Sequence, residues 1–519
     1  MSAPAVRRLL VAAVFVLLAT ANSAGYRYGA SDQAFYIPAV LRHLDPALFP
    51  ADAPLIDSQA RLTVIDEAIA IVVRVTHVPL PCLFLTLYLL TLGLLLAGAL
   101  RLGRHVLSEG WSLVALAAAL TLRHAIAKTG ANSLEGYFHP RELAFALGVW
   151  AIASWIERKS AWCVALLLLA GAVHSTTALW FVILLGVATI VRQRPSWRMV
   201  ALAVAVLAIG GIAMTITGPL SGRLVKMDAA WLAVIAQKDY LFPLGWPIDA
   251  WLTNLLTIVV ILLGWRGRVR HQCTFDGEGA LVAGAVALVV LFFAWLPFNA
   301  ARVALAVQLQ VSRLFWLLDF VATIYLVWAL AELEGLTPNV HTRPQNGVRP
   351  QLSHRRAALG SDPRRSARAR GIALVLVAAS VARGVYSQIV QFPDRPLFAV
   401  HIGNADWRDA MTWAQSTPSD SRWLADPLHA ARYGSSLRAA GQRDVFIEDI
   451  KDSAIAMYDR TIAMRVADRE RALAEHPWDT VDGAQALARA YGLDYLVIDR
   501  ALPLVEAHRS GSLYIYRLR

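Results

Sequence analysis

The residues from Leu83 to Leu100 read LFLTLYLLTLGLLLAGAL and contain no charged side chain. A helix rises 1.5 Å per residue, so this run approaches the thickness of a bilayer hydrocarbon core, about 30 Å. Ala280–Trp295 and Phe315–Leu330 are similarly long and apolar. These stretches predict an α-helical membrane protein that crosses the bilayer many times.

The composition of the whole chain shows the same excess of apolar residues. Of its 519 residues, 57% are hydrophobic and 17% are charged, whereas soluble proteins average about 45–50% and about 25%. An ordinary cytosolic enzyme is therefore excluded. The net charge of +12 indicates the Lys/Arg bias of cytoplasmic loops rather than a nucleic-acid partner. Cys82, Cys163 and Cys273 are odd in number and widely spaced, which indicates neither a disulfide framework nor a thiolate metal site.

The apolar segments predict eleven spans. Residues 1–24, with Arg7 and Arg8 before an apolar run, fit either a cleavable signal peptide or a first span, and we favour the retained span. The other ten are expected at 82–100, 112–127, 141–156, 161–174, 176–191, 199–217, 249–264, 279–297, 312–331 and 372–390. Thr63–Val78 includes two acidic residues, an arginine and a histidine, so it is expected to be a surface or re-entrant helix.

The basic residues orient this topology in a plasma (inner) membrane. With the N-terminus in the cytoplasm, residues 25–62 form an outer loop. The clusters that then fall inside are Arg101/Arg104, Arg158/Lys159, Arg192/Arg194/Arg198, Arg266/Arg268/Arg270 and the arginines of the linker 336–371. That linker has eight arginines and one acidic residue, which predicts a disordered or headgroup-facing cytoplasmic segment.

Composition changes after residue 391, where the multispan domain 1–391 ends. Residues 392–519 contain no segment able to span and are expected to form a soluble extracytoplasmic α/β domain. The runs that predict strands are Arg422–Ala425, Asp444–Ile447, Tyr495–Ile498 and Leu513–Tyr516, and those that predict helices are 404–415, 452–474 and 482–490.

The first outer loop contains the most informative motif. Residues 29–38 read GASDQAFYIP and place Asp32 just before an amphipathic segment. Asp32 could cap that helix, which is worth about 1 kcal/mol. It could equally be a general base, or a ligand in a metal-assisted site, at the lipid–water boundary. Residue chemistry alone leaves both open.

The motif and the architecture together carry a resemblance. A short first span, an outer loop with an acidic residue on a juxtamembrane helix, about eleven spans and an outer α/β domain resemble the GT-C superfamily of polyprenyl-phosphate-sugar-dependent glycosyltransferases. The motif Asp32-Gln33-Ala34-Phe35-Tyr36-Ile37-Pro38 and the stretch Leu44–Pro50 are similar to a group of bacterial membrane proteins with the form Asp-Gln-x-x-Tyr-Leu-Pro.

The resemblance implies an inverting glycosyltransferase of the cell envelope. Its donor would be a polyprenyl-phosphate-linked sugar in the membrane lipid, and its catalytic residue would be Asp32, supported by Gln33 and Tyr36. A divalent cation, Mg²⁺ or Mn²⁺, would have Asp32 as its ligand. The neighbours of Asp32 are Ser31 and Gln33 rather than the second carboxylate often found in the family, and this favours a non-catalytic scaffold in envelope polysaccharide assembly as one alternative. A transporter or flippase of lipid-linked or sugar substrates is another.

Other polar residues fall at the same predicted face. His139 and Arg141 are candidate contacts of the donor phosphate, with Glu142 orienting one of them. A structural ion pair, either Arg141–Glu142 or one between helices, is an equally good interpretation. His174, at a predicted hairpin tip, is a supporting candidate. Asp45, Asp52 and Asp57 are further acidic candidates in the first loop, with Asp45-Pro46 also typical of a turn.

The late spans hold the remaining candidates. The resemblance implies a basic residue that neutralises the lipid phosphate, and Arg313 is preferred over Arg302. Asp319 lies six residues after Arg313, so the two are expected to have different partners.

Overall fold

The computed structural model describes residues 3–333 and 363–519. Most of the predicted linker 336–371 lies outside these residues. The described chain is mainly helical, with one small sheet near its C-terminus.

Within residues 3–333 and 363–519, seven helices are long and apolar enough to cross a membrane, and they make this a membrane-embedded protein. They are Leu80–Val106, Ser175–Gln193, Trp197–Ile216, Ile248–Arg270, Glu278–Ala300, Ala304–Glu332 and Pro363–Gln391. Within Ala304–Glu332 a short 3₁₀ turn, Val311–Arg313, separates Ala304–Gln308 from Leu314–Glu332. Each of these seven coincides with a predicted span.

The other four predicted spans overlap with helices, which are Ala3–Asn22, Gly110–Thr121, Pro140–Ile156 and Ser160–Val173. The end of the span predicted at 112–127 was wrong, because the helix ends at Thr121 and residues 125–126 form a short strand. The apolar parts of these helices are shorter than the seven, so the count of eleven stays a prediction. The predicted surface helix is Ile65–Thr76, which buries Ile65, Asp66, Ile69 and Ala70 and exposes its other face. Gln33–Leu44, Ala53–Ala60 and Ala229–Ile235 are the remaining helices between these elements.

Small residues let the bundle pack closely. A Cβ on Gly148 would lie 2.5 Å from the ring of Phe181, and one on Gly284 would lie 2.4 Å from the carbonyl oxygen of Leu184. Helices Pro140–Ile156 and Glu278–Ala300 therefore both press against Ser175–Gln193. Buried ion pairs at the ends of other helices complete the bundle, with Arg268 donating to Glu278 at 2.7 Å where both side chains are 1% exposed.

The C-terminal part is an α/β layer, as its sequence predicts. Strands β5 (Arg422–Leu424), β6 (Asp444–Val445), β7 (Tyr495–Ile498), β8 (Val505–Ser510) and β9 (Leu513–Arg517) form a sheet in the order β6-β5-β7-β9-β8. Strand β5 is parallel to β6 and β7, and β9 is antiparallel to β7 and β8. Its helices are Ala405–Ala414, His429–Tyr433, Leu437–Gly441, Asp449–Ile455, Arg460–Glu475 and Val481–Tyr491.

The C-terminal part differs from the sequence predictions in strand β8, in the short helices His429–Tyr433 and Leu437–Gly441, which were not expected, and in one interrupted helix. Strand β8 was not expected, because most of its residues are exposed at the sheet edge and show no apolar alternation. The single helix expected over 452–474 is interrupted at 456–459 and restarts when the Asp459 side chain accepts a hydrogen bond from the Thr461 amide.

The first connection of the chain joins the bundle to the C-terminal part. Strand β1 (Tyr26–Arg27) pairs in parallel with β4 (Phe398–Ala399). A shared apolar core then includes Phe49 and Ile56 of the same connection, Trp231, and Ile455 and Leu496 of the C-terminal layer. Residues far apart in sequence are thereby brought together at one end of the bundle. A short antiparallel pair, β2 (Ala125–Ile126) with β3 (Ala131–Asn132), lies in the connection that follows Gly110–Thr121.

Candidate functional site

Asp32 lies where the first connection, the start of helix Pro140–Ile156 and the C-terminal layer meet. Asp32 occupies the N-cap position of Gln33–Leu44, but its side chain makes no capping hydrogen bond. Instead Oδ2 lies 3.2 Å from His139 Nε2, and Oδ1 accepts from Lys451 Nζ at 2.8 Å. The interpretation of Asp32 as a helix-capping side chain was therefore wrong, because its two oxygens have partners on distant segments.

The hydrogen bonds of His139 fix its protonation. Its Nδ1 accepts from the backbone N–H of Arg141 at 3.1 Å, so the ring proton is on Nε2 and is donated to Asp32. Burial and the charge of Arg141 lower the pKa of His139 to about 4. His139 is accordingly neutral at pH 7, and in this arrangement it orients Asp32 rather than facing a phosphate. Its role as a phosphate contact stays a prediction.

Asp32 itself is ionised. Burial raises the pKa of its carboxyl, but the charge of Lys451 and the hydrogen bond from His139 outweigh this and hold the pKa well below its usual range. The carboxylate is 30% exposed, whereas the His139 side chain is 3% exposed. An ionised and accessible carboxylate can accept a proton or a hydrogen bond from a ligand.

Arg141 pairs with a residue other than the one expected. Its Nη2 donates to Glu135 Oε1 at 2.7 Å, and both side chains are buried. Glu142 Oε1 instead accepts from the backbone N–H of Glu135 at 2.6 Å. The predicted Arg141–Glu142 ion pair was therefore wrong, because Glu142 faces the backbone of the preceding loop. Arg141 Nε is buried and has no hydrogen-bond partner among the described residues.

Gln33 and Tyr36 support this arrangement. The Gln33 side chain accepts from the Gly29 amide at 2.7 Å and donates to the Phe138 carbonyl at 3.1 Å, which joins the turn before Asp32 to the loop before His139. The Tyr36 ring packs edge-on against the His139 ring, with centroids 5.4 Å apart. Both side chains are placed to hold Asp32 and His139 in their relative positions.

His174 lies beside His139, and Arg313 lies in the 3₁₀ turn Val311–Arg313. The rings of His174 and His139 are 6.3 Å apart, and His174 Nδ1 accepts from Thr177 at the start of its helix. The Nε of Arg313 is buried and has no hydrogen-bond partner among the described residues. As expected, Asp319 has a separate partner, His124, at 2.9 Å.

A cavity of about 330 Å³ opens beside Asp32. Its charged lining consists of Asp32, Glu135, Arg27, Arg123, Arg141 and Arg395. Neither Arg313 nor His139 lines it, although His139 contacts Asp32, which does. Four guanidiniums facing two carboxylates make this an anion-attracting site.

Sequence reasoning missed four residues here. Arg27 and Arg395 had a usable signal, since the predicted topology places them outside, against the inward bias of basic residues. Arg123 had another, since it lies within the predicted span 112–127, where a charged side chain is costly. Lys451 had none, because a lysine on a helix of a soluble domain is ordinary.

The donor set does not fit a divalent cation. The described residues, 3–333 and 363–519, contain no group of three or more His, Cys, Asp or Glu side chains arranged to hold a metal ion. The groups around Asp32 are an ammonium, a ring N–H and guanidiniums, which repel or cannot ligate Mg²⁺ or Mn²⁺. We therefore assign no step to a metal.

The other acidic candidates of the first loop have structural partners. Asp45 accepts from the Ala47 amide in a turn, and Asp57 pairs with Arg42 at the surface. Asp52 is buried against the C-terminal layer, where it binds Arg438 Nε at 2.6 Å and also pairs with Arg465.

The Asp52 contact is reciprocal. Asp444 on β6 accepts the backbone N–H groups of Ala51 and Asp52, at 2.9 and 2.8 Å. Arg438 also forms a bidentate pair with Asp452. This network, which includes Asp52, Arg438, Asp444, Asp452 and Arg465, is called the docking network below. It fixes the C-terminal layer, and hence Lys451, beside Asp32.

The chain matches no protein-family model and no curated protein sequence.

Proposed function

We propose that this protein is a membrane glycosyltransferase that moves a sugar from a polyprenyl-phosphate donor to an acceptor outside the cytoplasm. The observation that carries the proposal is one cavity in which the ionised Asp32 faces four guanidiniums. The resemblance of the first-loop motif to GT-C glycosyltransferases supports the same assignment. A lipid-borne donor could reach this cavity from the bilayer, and a polar acceptor could reach it from water.

The residues suggest how the reaction would be divided. Asp32 would accept the proton of the acceptor hydroxyl as its oxygen forms a bond to the anomeric carbon. The bond from that carbon to the phosphate oxygen breaks, and its electron pair stays on the phosphate. The guanidiniums would stabilise this developing charge. Lys451 would have to exchange its contact with Asp32 Oδ1 for one with the incoming acceptor.

A second candidate is a non-catalytic scaffold that binds the same lipid. The Asp32–Lys451 contact at 2.8 Å favours it, because a carboxylate held by an ammonium is a weaker base.

Transfer assays separate the two. Full-length protein in proteoliposomes is given a panel of radiolabelled polyprenyl-phosphate sugars and extracted acceptors. Asp32→Asn is compared with Asp57→Asn, a matched control in the same loop whose carboxylate is 59% exposed. We expect transfer by the wild type and the control and a loss of about 100-fold or more in Asp32→Asn, as for removal of a general base. Equal transfer by Asp32→Asn would overturn the assignment of the base, and binding of the lipid without transfer by any protein would favour the scaffold.

A further inference from the structure

Two of the four cavity arginines have no counter-charge. Arg141 and Arg123 share Glu135, with nitrogen–oxygen distances of 2.7 and 3.7 Å. Asp32 is engaged by Lys451 and His139. Among the described residues, Arg27 and Arg395 have no carboxylate within ion-pair distance, and the polar Nε of Arg27 is buried without a hydrogen-bond partner. Arg27 and Arg395 therefore bring to the cavity two positive charges that no described carboxylate pairs with.

These two arginines are held in place by backbone contacts. Arg27 lies on β1, which pairs with β4, and Arg395 lies three residues before β4. Gly25, which precedes β1, has φ +80°, and a Cβ there would lie 2.9 Å from the Pro396 carbonyl oxygen. The Arg395 guanidinium also stacks over the Phe392 ring at 3.8 Å. The backbone positions of Arg27 and Arg395 are thus fixed by the packing of these two segments.

Their proximity has an energetic cost. Burial and the charge of Arg395 together lower the pKa of Arg27 to about 10, which means that the Arg395 guanidinium destabilises the charged form of Arg27. A dianion between them would remove this repulsion, whereas a monoanion would balance only one of the two charges.

We propose that Arg27 and Arg395 form a binding site for a phosphate group that carries two negative charges. This rests on the proposed function and deepens it. In a polyprenyl-phosphate sugar the phosphate is a diester with one negative charge. After the sugar leaves, it is a monoester whose second proton has a pKa of about 6, so at pH 7 it carries mostly two charges. The site therefore binds the leaving group more tightly than the donor, which is the preference that assists bond breaking.

Calorimetry on the full-length protein in nanodiscs tests the site without any transfer assay. The probes are a ten-carbon prenyl phosphate, the methyl diester of the same compound, and inorganic phosphate. We expect the monoester to bind at least about tenfold more tightly than its diester, and its affinity to increase between pH 5 and pH 7.5 as the second proton is lost. Arg27→Gln and Arg395→Gln should each weaken monoester binding by about 10- to 100-fold, the range for a hydrogen bond to a charged group.

Arg471→Gln is the matched control, because this arginine is 66% exposed and lies on helix Arg460–Glu475, away from the cavity lining. It should bind as the wild type does. Equal binding of monoester and diester, or wild-type affinity in Arg27→Gln and Arg395→Gln, would overturn the site. Equal binding of inorganic phosphate and prenyl phosphate would overturn its assignment to a lipid. If the site binds the monoester as expected but no sugar is transferred, the glycosyltransferase proposal fails while the site stands.

Discussion

Replacing Asp52 with alanine should release the first loop from the C-terminal layer. Asp52 and Arg438 are each 1% exposed, and the same carboxylate also binds Arg465 and the Val445 amide. Removing one partner of a buried ion pair costs about 3–5 kcal/mol. Arg438 keeps its bidentate pair with Asp452, so we expect the lower end of this range, about 3 kcal/mol.

Hydrogen exchange measures this loss directly. The amides of Ala51 and Asp52 donate to Asp444 across the interface, and residue 52 keeps that amide when it becomes alanine. Their exchange therefore reports separation of the loop from the sheet. A loss of about 3 kcal/mol predicts exchange about two orders of magnitude faster in the peptide that covers residues 51 and 52.

Asp57→Ala is the control for the same loop. Its carboxylate pairs with Arg42 but is 59% exposed, and such surface pairs contribute at most about 1 kcal/mol. Exchange should increase by about fivefold or less. If Asp52→Ala and Asp57→Ala have the same exchange rates, the docking network does not hold the interface together and the reasoning is wrong.

Three further changes follow from the same structure. Lys451→Met removes the charge that most lowers the pKa of Asp32, so the acid limb of the pH–rate profile should move up by about 1–3 pH units. Lys451→Arg keeps the charge and should leave the limb in place. An unchanged limb in Lys451→Met would exclude an effect of Lys451 on the pKa of Asp32. Burial and a neighbouring carboxylate raise the pKa of Asp444 from 3.8 to about 6, so only the folded state is protonated between these values. Stability should therefore fall as pH rises from about 4 to about 6, by about 2–3 kcal/mol, and denaturant titrations of Asp444→Asn should lack this slope. Gly136→Ala would place a Cβ 2.6 Å from two backbone carbonyl oxygens, while Gly93→Ala meets nothing within 4 Å. Thermal unfolding should show a loss of about 1–3 kcal/mol for the first and no loss for the second, and equal effects would contradict the close packing.

The helices were predictable because their signal is local. A long apolar run in a bilayer forms a helix whatever its neighbours are, and each predicted span overlaps with one, although the helix within 112–127 ends at Thr121. Strand β8 gave no such signal, since an exposed edge strand needs no apolar face. The interruption at 456–459 was also missed, because Met457 and Tyr458 continue an apolar pattern that only the cap at Asp459 ends.

The site was predictable only in part. Asp32, His139 and Arg141 were identified because charged residues beside apolar spans are costly and therefore informative. The partners of these residues were not predicted, since the Arg141–Glu135 pair depends on a loop conformation. The contact of Lys451 with Asp32 joins residues 419 positions apart, and no periodicity in one sequence encodes such a distance.

The docking network also sets the order in which the protein can mature. Arg438 follows Asp52 by 386 residues. At about 5–20 residues per second, the ribosome needs roughly 20–80 s to supply it after Asp52 has been made. During that time Asp52 has no partner from the docking network, while the later helices are inserted. A nascent chain that stops before the C-terminal layer carries the motif around Asp32 but not Arg438, Lys451 or Arg465, so only a chain synthesised past these residues can complete the site.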